Sequence, residues 1–329
     1  MGERIYVTID EIKDAAERIR PYIVRTPLIR CESLDKKLGC KVYLKPEMLQ
    51  KSGSFKMRGA SNKVLLLSEE ERQQEIICCS AGNHAKACAA VGKQLEIHSV
   101  SVMPEDAPKC KIDGVRDLGG EIWFGPRKGN RRVEMVEEGV KKYGYVDVDP
   151  SDDLDLIAGA GTVGLEIMED LPDVDTVLVP CGGAGLLSGV ATAVKSLRNN
   201  AKVIGVQAAV NNGYGLSFKA RDVVVKPTTD SIADGLNCSR PGKVTFPIVL
   251  KYVDEFLGTE EHAIADATKL VAAESKLVAE PSSCVGIGAV LSGVYKPDPD
   301  EKVVFVLSAG NWDIDQLGRI YEDVFFQEV

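Results

Sequence analysis

A lysine set among small and apolar neighbours is the first residue of this chain with chemistry to offer. Lys56 lies in Ser52-Gly53-Ser54-Phe55-Lys56-Met57-Arg58-Gly59-Ala60. Partial desolvation lowers a lysine pKa, and the neutral amine can then act as nucleophile, Schiff-base former or base. A single lysine is more commonly a solvated charge, so its company decides. Three further segments are short, polar and glycine-bearing: Ser80-Ala81-Gly82-Asn83-His84-Ala85, Cys181-Gly182-Gly183-Ala184-Gly185-Leu186 and Ser308-Ala309-Gly310-Asn311. Glycines in the second of these let backbone N–H groups approach an anion at a helix start, or simply form a tight turn. The pattern is neither GxGxxG nor a Walker loop, since no Lys-Ser/Thr follows.

Each of the four segments comes after an apolar run of strand character. These runs are 42–45, 75–79, 176–180 and 303–307, and further strands are expected at 97–103, 121–124 and 202–207. Helices are expected at 56–67, 85–91, 108–118, 130–143 and from the 182–183 glycines to Lys195. Thr8 and Glu11 form a capping-box pattern for a first helix that ends by Pro21. Repeated β–α units of this length predict an α/β fold with parallel sheets covered by helices. Ligands of such sheets bind outside the carboxyl ends of the strands, at helix N-termini, where the four segments fall.

The chain has 329 residues, enough for two compact units sharing an interface. With 40 Lys plus Arg against 49 Asp plus Glu the net charge is -9, which argues against nucleic acid or an anionic membrane as partner. Apolar runs such as 176–180 are far too short to span a bilayer, and the N-terminus has no apolar signal core. The nine cysteines are irregularly spaced and include no CxxC, so they read as reduced, small apolar residues of a cytoplasmic protein. A zinc site would also want histidines, and there are three, at 84, 98 and 262. No metal site is expected. His98 is expected in a strand and Trp123 in the core, both structural. The basic cluster 127–132 is expected to be a solvated helix start.

Together the four segments resemble the fold-type II pyridoxal-phosphate enzymes: threonine and serine dehydratases, serine racemase and, more distantly, threonine synthase and cysteine synthase. Gly53-Ser-Phe-Lys-x-Arg-Gly-Ala60, Ile157-Ala-Gly-x-Gly-Thr162, Ile232-Ala-Asp-Gly235 and Glu280-Pro281 carry the resemblance, which runs from about residue 12 to 311. It implies a tryptophan synthase β-like fold of two parallel-sheet open α/β domains with the cofactor between them. The large domain would be 1–70 and 149–329. The small one, 71–148, would be inserted in it and close over substrate, and no regulatory domain is expected. It also implies pyridoxal 5′-phosphate as cofactor, a small amino acid as substrate and a homodimer. Lys56 would form the Schiff base and abstract the Cα proton, and Phe55 would pack against the pyridine ring. Asn83 would bond the cofactor 3′-oxygen, and Ser308 the ring nitrogen. Gly182, Gly183, Ala184, Gly185 and Leu186 would hold the phosphate. Ser80, Ala81, Gly82 and His84 would line the loop that binds the substrate carboxylate.

A hydroxyl such as that of Ser308 cannot hold the pyridinium charged as a carboxylate would, which favours β-elimination over transamination. The implied reaction is loss of the β-hydroxyl as water and release of a 2-oxo acid and ammonia. A racemase needs a second acid–base group opposite the lysine, a serine in serine racemases, where this chain has Ala81. The runner-up readings are an amino acid racemase, a β-replacement enzyme, and a catalytically silent relative that binds the cofactor. Several positions depart from the family pattern. Ala160 and Lys86 stand for Gln, and Asp149-Pro150 for His-Pro. Ala309 and Trp312 alter the fourth loop, and Gln207-Ala208 replace an acidic cation ligand.

Overall fold

The computed structural model describes residues 5–80, 82–127 and 129–321. Its strands are β1 (Ile29–Arg30), β2 (Lys41–Pro46), β3 (Ile76–Cys79), β4 (Ser99–Pro104), β5 (Glu121–Gly125), β6 (Val146–Asp147), β7 (Thr176–Pro180), β8 (Lys202–Ala208), β9 (Glu255–Thr259) and β10 (Lys302–Leu307). They form two sheets, one in the order β1-β2-β10-β7-β8-β9 and the other β5-β4-β3-β6. All pairings are parallel except that of the short edge strand β1 with β2. A parallel strand is covered by helices on both faces, so it reads as a continuous apolar run. Every residue of β7 is buried, and β10 is buried beyond its first.

Register sets the site. β10 lies between β2 and β7, with Leu307 opposite Pro46 and Val303 opposite Thr176. The segments that follow β2, β7 and β10 therefore leave one end of the six-stranded sheet together. Ser80 follows β3, an inner strand of the second sheet.

The helix Leu154–Asp170 explains the Ile157–Thr162 motif as packing. A Cβ on Gly159 would stand 2.6 Å from the Arg58 carbonyl oxygen, and one on Gly189 would stand 2.5 Å from Gly161 N. Bare backbone thus meets both the helix Lys56–Leu65 and the helix Gly185–Leu197, the two that start at the lysine and at the glycine loop. Fully buried Arg58 locks the same junction. Its guanidinium donates to Glu47 at 2.7 and 2.8 Å and to Glu166 at 2.7 and 2.8 Å, while Lys45 donates to Glu166 at 2.6 Å.

Thr8 and Glu11 form the capping box that their spacing predicts. Three local expectations change. His98 precedes β4 rather than lying in it, and its ring sits 2.8 Å from Glu75 and 3.5 Å from Glu121. Trp123 is half-buried in β5: it packs against the buried cluster of Ile77, Val100, Val102 and Val136 on one side, with Tyr143 and Tyr145 beside it at ring-centroid distances of 6.1 and 6.0 Å. Edge strand β9 carries Glu255 and Gly258, which hide the strand pattern in sequence.

Candidate active site

Lys56 is the first residue of its helix, and its Nζ donates to the carbonyl oxygen of Pro150. Burial pushes its pKa down to about 8 from an ordinary 10.5, against the opposing pull of the Asp149 carboxylate. Asp149 Oδ1 accepts from Ser151 N at 2.7 Å and Asp152 N at 2.6 Å, so this carboxylate shapes the turn that presents the Pro150 carbonyl. Phe55 precedes the lysine, with its ring centroid 5.1 Å from Lys56 Nζ. Its N–H donates to the Ser308 carbonyl at 2.9 Å, which ties the lysine segment to the loop after β10.

A cavity of about 310 Å³ opens beside these residues. Gly182, Gly183, Ala184, Gly185 and Leu186 form one wall, Ser308 another, and Ser80, Gly82, Asn83 and His84 a third. The helix Gly185–Leu197 starts there with no side-chain cap, and Ala184 takes the left-handed conformation at φ 66°. The N–H groups of a helix's first turn have no intrahelical acceptor, so the wall offers donors and positive potential. A Cβ on Gly183 would come within 2.3 Å of Ser151 Oγ.

The Ser80 loop is built for close approach. Ser80 N donates to Val102 O at 3.1 Å, and Gly82 N donates to Ser80 Oγ at 3.1 Å. A side chain on Gly82 would collide with the Lys111 stem, its Cβ 2.2 Å from Lys111 Cδ. Ala81 lies outside the described residues. His84 lines the cavity, but its imidazole turns into the core, with Nε2 2.8 Å from the Val148 carbonyl.

Asn83 is held from two sides. Its Nδ2 donates to the Glu280 carboxylate at 3.0 and 3.1 Å, and its Oδ1 accepts from Asn311 Nδ2 at 2.9 Å. Lys86 donates to Asn311 Oδ1 at 2.7 Å, which gives that departure from the family pattern a role in the site's scaffold. Ser308 Oγ lies 3.1 Å from Ser283 Oγ, and Ser283 also bonds the Ala309 N–H and carbonyl, both at 2.8 Å.

Sequence reasoning missed several members of this wall. Lys111 spans to Asp234 at 2.7 Å, and Glu280, pushed up to about 7 by burial against the pull of Lys111, lies beside them. Ser151, Asp234, Glu280 and Ser282 line the cavity. The 232–235 and 280–281 motifs were the available signal: Glu280 stands at the start of the helix Pro281–Leu291 without capping it, and its carboxylate turns to Asn83 instead.

A model of the family described as "Pyridoxal-phosphate dependent enzyme" matches residues 19–309. The chain belongs to this family. Among its relatives it is 43% identical to an L-threonine ammonia-lyase of Thermotoga maritima over 320 residues, 95% of this chain and 78% of that protein. It is 37% identical to a serine racemase of Arabidopsis thaliana, over 96% of each chain. The solved structure of maize serine racemase superposes with a TM-score of 0.91 at 33% identity, covering 98% of this chain and 99% of that one. The fold is that of the fold-type II pyridoxal-phosphate enzymes.

The residues fit the cofactor of this family. Pyridoxal phosphate brings an aldehyde, a phosphate and a ring nitrogen. The cavity offers a desolvated amine at Lys56, a side-chain-free cradle at a helix start and a buried hydroxyl at Ser308. A Cβ at Gly183 or Gly182 would fill space already taken, Gly182's standing 3.0 Å from the Gly235 carbonyl.

Proposed function

We propose that this chain is an ammonia-lyase that eliminates water from a small β-hydroxy amino acid, with L-threonine or L-serine favoured. The products are a 2-oxo acid and ammonia. The observation that carries the reading is Lys56: a buried amine with its pKa near 8, in a cavity walled by the glycine cradle and Ser308.

Pyridoxal phosphate, when bound, supplies the electron withdrawal that acidifies the substrate Cα–H. The protein supplies the rest. Lys56 is the nucleophile toward the aldehyde and the base that takes the Cα proton. The N–H groups of 182–186 would hold the phosphate, and the Ser308 hydroxyl, braced by Ser283, would bond the ring nitrogen. Asn83, fixed by Glu280 and Asn311, would bond the 3′-oxygen. The loop of Ser80, Ala81, Gly82 and His84 would take the substrate carboxylate at the start of the helix Asn83–Leu95. The 71–148 unit closes over substrate against 1–70 and 149–329, excluding water from the cavity.

Ala81 supports elimination over racemisation, because a methyl group carries no proton for the open face of Cα. Similarity to serine racemases keeps racemisation as the second reading. All nine cysteines are free, which supports a reducing compartment and a cytoplasmic location. The homodimer rests on the family resemblance and is checked by light scattering.

The test is a 2-oxo acid assay across hydroxy amino acids with the cofactor-loaded protein. Turnover with L-threonine or L-serine is expected. A coloured protein with no lyase turnover on any of them favours a silent relative or another substrate class.

A further inference from the structure

Near Lys56 the fold gathers three side chains that the cofactor reading leaves unused. Cys78 lies in β3, and His84 and Cys88 lie one turn apart on the helix Asn83–Leu95. All three are buried, and their ligand atoms lie within 4.8 Å of one another. Cys88 Sγ is 3.4 Å from His84 Nε2, and Cys78 Sγ is 3.6 Å from Ser101 Oγ.

The histidine has capacity to spare. Its Nε2 donates to the Val148 carbonyl at 2.8 Å, so Nδ1 keeps its lone pair. That Nδ1 is buried and has no hydrogen-bond partner among the described residues. A buried polar atom without a partner is uncommon and costly. Two thiols and an imidazole form a soft donor set, suited to zinc and its congeners and poorly suited to magnesium or calcium.

We propose that Cys78, His84 and Cys88 form a binding site for a thiophilic divalent cation of the zinc class. Tetrahedral bonds of ~2.3 Å to sulfur and ~2.0 Å to nitrogen draw such ligands closer than 4.8 Å, and because Nε2 is the nitrogen 3.4 Å from Cys88 Sγ, the imidazole also has to shift to bring Nδ1 to the cation. The fourth position falls to water. A ligating imidazole whose other nitrogen is held by a backbone carbonyl is a common way to fix the tautomer. Binding replaces two thiol protons, which leave to solvent. His84 also lines the active-site cavity, which gives the cation its way in.

Sequence spacing predicts no metal site, since the chain has no CxxC and three histidines. Positions 78, 84 and 88 become neighbours only because β3 turns directly into a helix. The site differs from the acidic cation position of the family, where this chain has Gln207 and Ala208.

The test equilibrates the cofactor-loaded protein with cadmium chloride and follows the ultraviolet sulfur-to-cadmium charge-transfer band. One cadmium per chain is expected, with affinity tightening by up to about a hundredfold per pH unit, the limit for two released protons. Cys78→Ser and Cys88→Ser should each weaken it at least about tenfold. No band in excess cadmium overturns the proposal, and so does a band unchanged in both variants. Should a variant not fold, X-ray absorption of the zinc-loaded wild type decides. Two sulfurs at ~2.3 Å and one nitrogen at ~2.0 Å support the site. A shell of oxygen and nitrogen alone, or of three or more sulfurs, overturns it.

Discussion

Lys56 Nζ donates to the carbonyl oxygen of Pro150, ninety-four residues away. The contact joins the lysine helix to the 149–152 turn, whose Ser151 also packs against the glycine cradle. One short turn therefore touches the amine and bounds the anion wall.

Asp149 shapes that turn and also biases the amine. Its negative charge favours protonated Lys56, while burial favours the neutral form, and burial is the larger influence. Capture of pyridoxal phosphate by cofactor-free protein needs the neutral amine, so its rate should rise with pH to a midpoint near 8 rather than 10.5. Asp149→Asn keeps an oxygen for the Ser151 and Asp152 N–H groups but removes the charge. The midpoint should then move down, as read from stopped-flow absorbance against pH. An upward move would show that Asp149 does not act on Lys56 through its charge.

Arg58→Met should destabilise the protein by about 3–5 kcal/mol, because Glu47 and Glu166 lose their buried guanidinium. Denaturant unfolding at fixed cofactor concentration measures this. A loss under about 1 kcal/mol would mean that the carboxylates find other partners or take up protons at little cost.

Two glycine substitutions should differ in their effect on stability. Gly189→Ala pushes a methyl group into the Gly161 backbone, 2.5 Å away, and should cost about 1–3 kcal/mol. Gly318→Ala, in the helix Ile314–Tyr321, meets nothing within 4 Å among the described residues and should be neutral or stabilising by up to ~1 kcal/mol. Thermal melts compare them, and equal effects would contradict the close helix crossing.

With L-serine the wild type should form 2-oxo acid in large excess over D-serine, since Ala81 offers no proton. Ala81→Ser should make D-serine measurable by chiral chromatography. D-serine formed by the wild type as fast as 2-oxo acid would place a second acid–base group elsewhere.

The β–α alternation was legible because parallel strands are apolar throughout: 176–180 matches β7 residue for residue. Lys56, the glycine cradle and Ser308 were legible because each follows such a strand. The scaffold behind them was not. Asn83 meets Glu280 across 197 positions and Lys111 meets Asp234 across 123, and no local pattern encodes such pairings. The Ile157–Thr162 glycines were visible as a motif, but their role as a helix crossing emerges only once the neighbouring backbones are in place.

If Lys56 carries the chemistry, it is the amine that holds the cofactor. Borohydride reduction of the coloured, cofactor-loaded protein fixes the cofactor to the amine that holds it, and peptide mapping by mass spectrometry identifies that amine. The cofactor should be found on Lys56, and Lys56→Ala should retain none and lose at least about 10²–10⁴ in turnover. Cofactor fixed to any other lysine, or a Lys56→Ala protein that still turns over at the wild-type rate, would contradict the account.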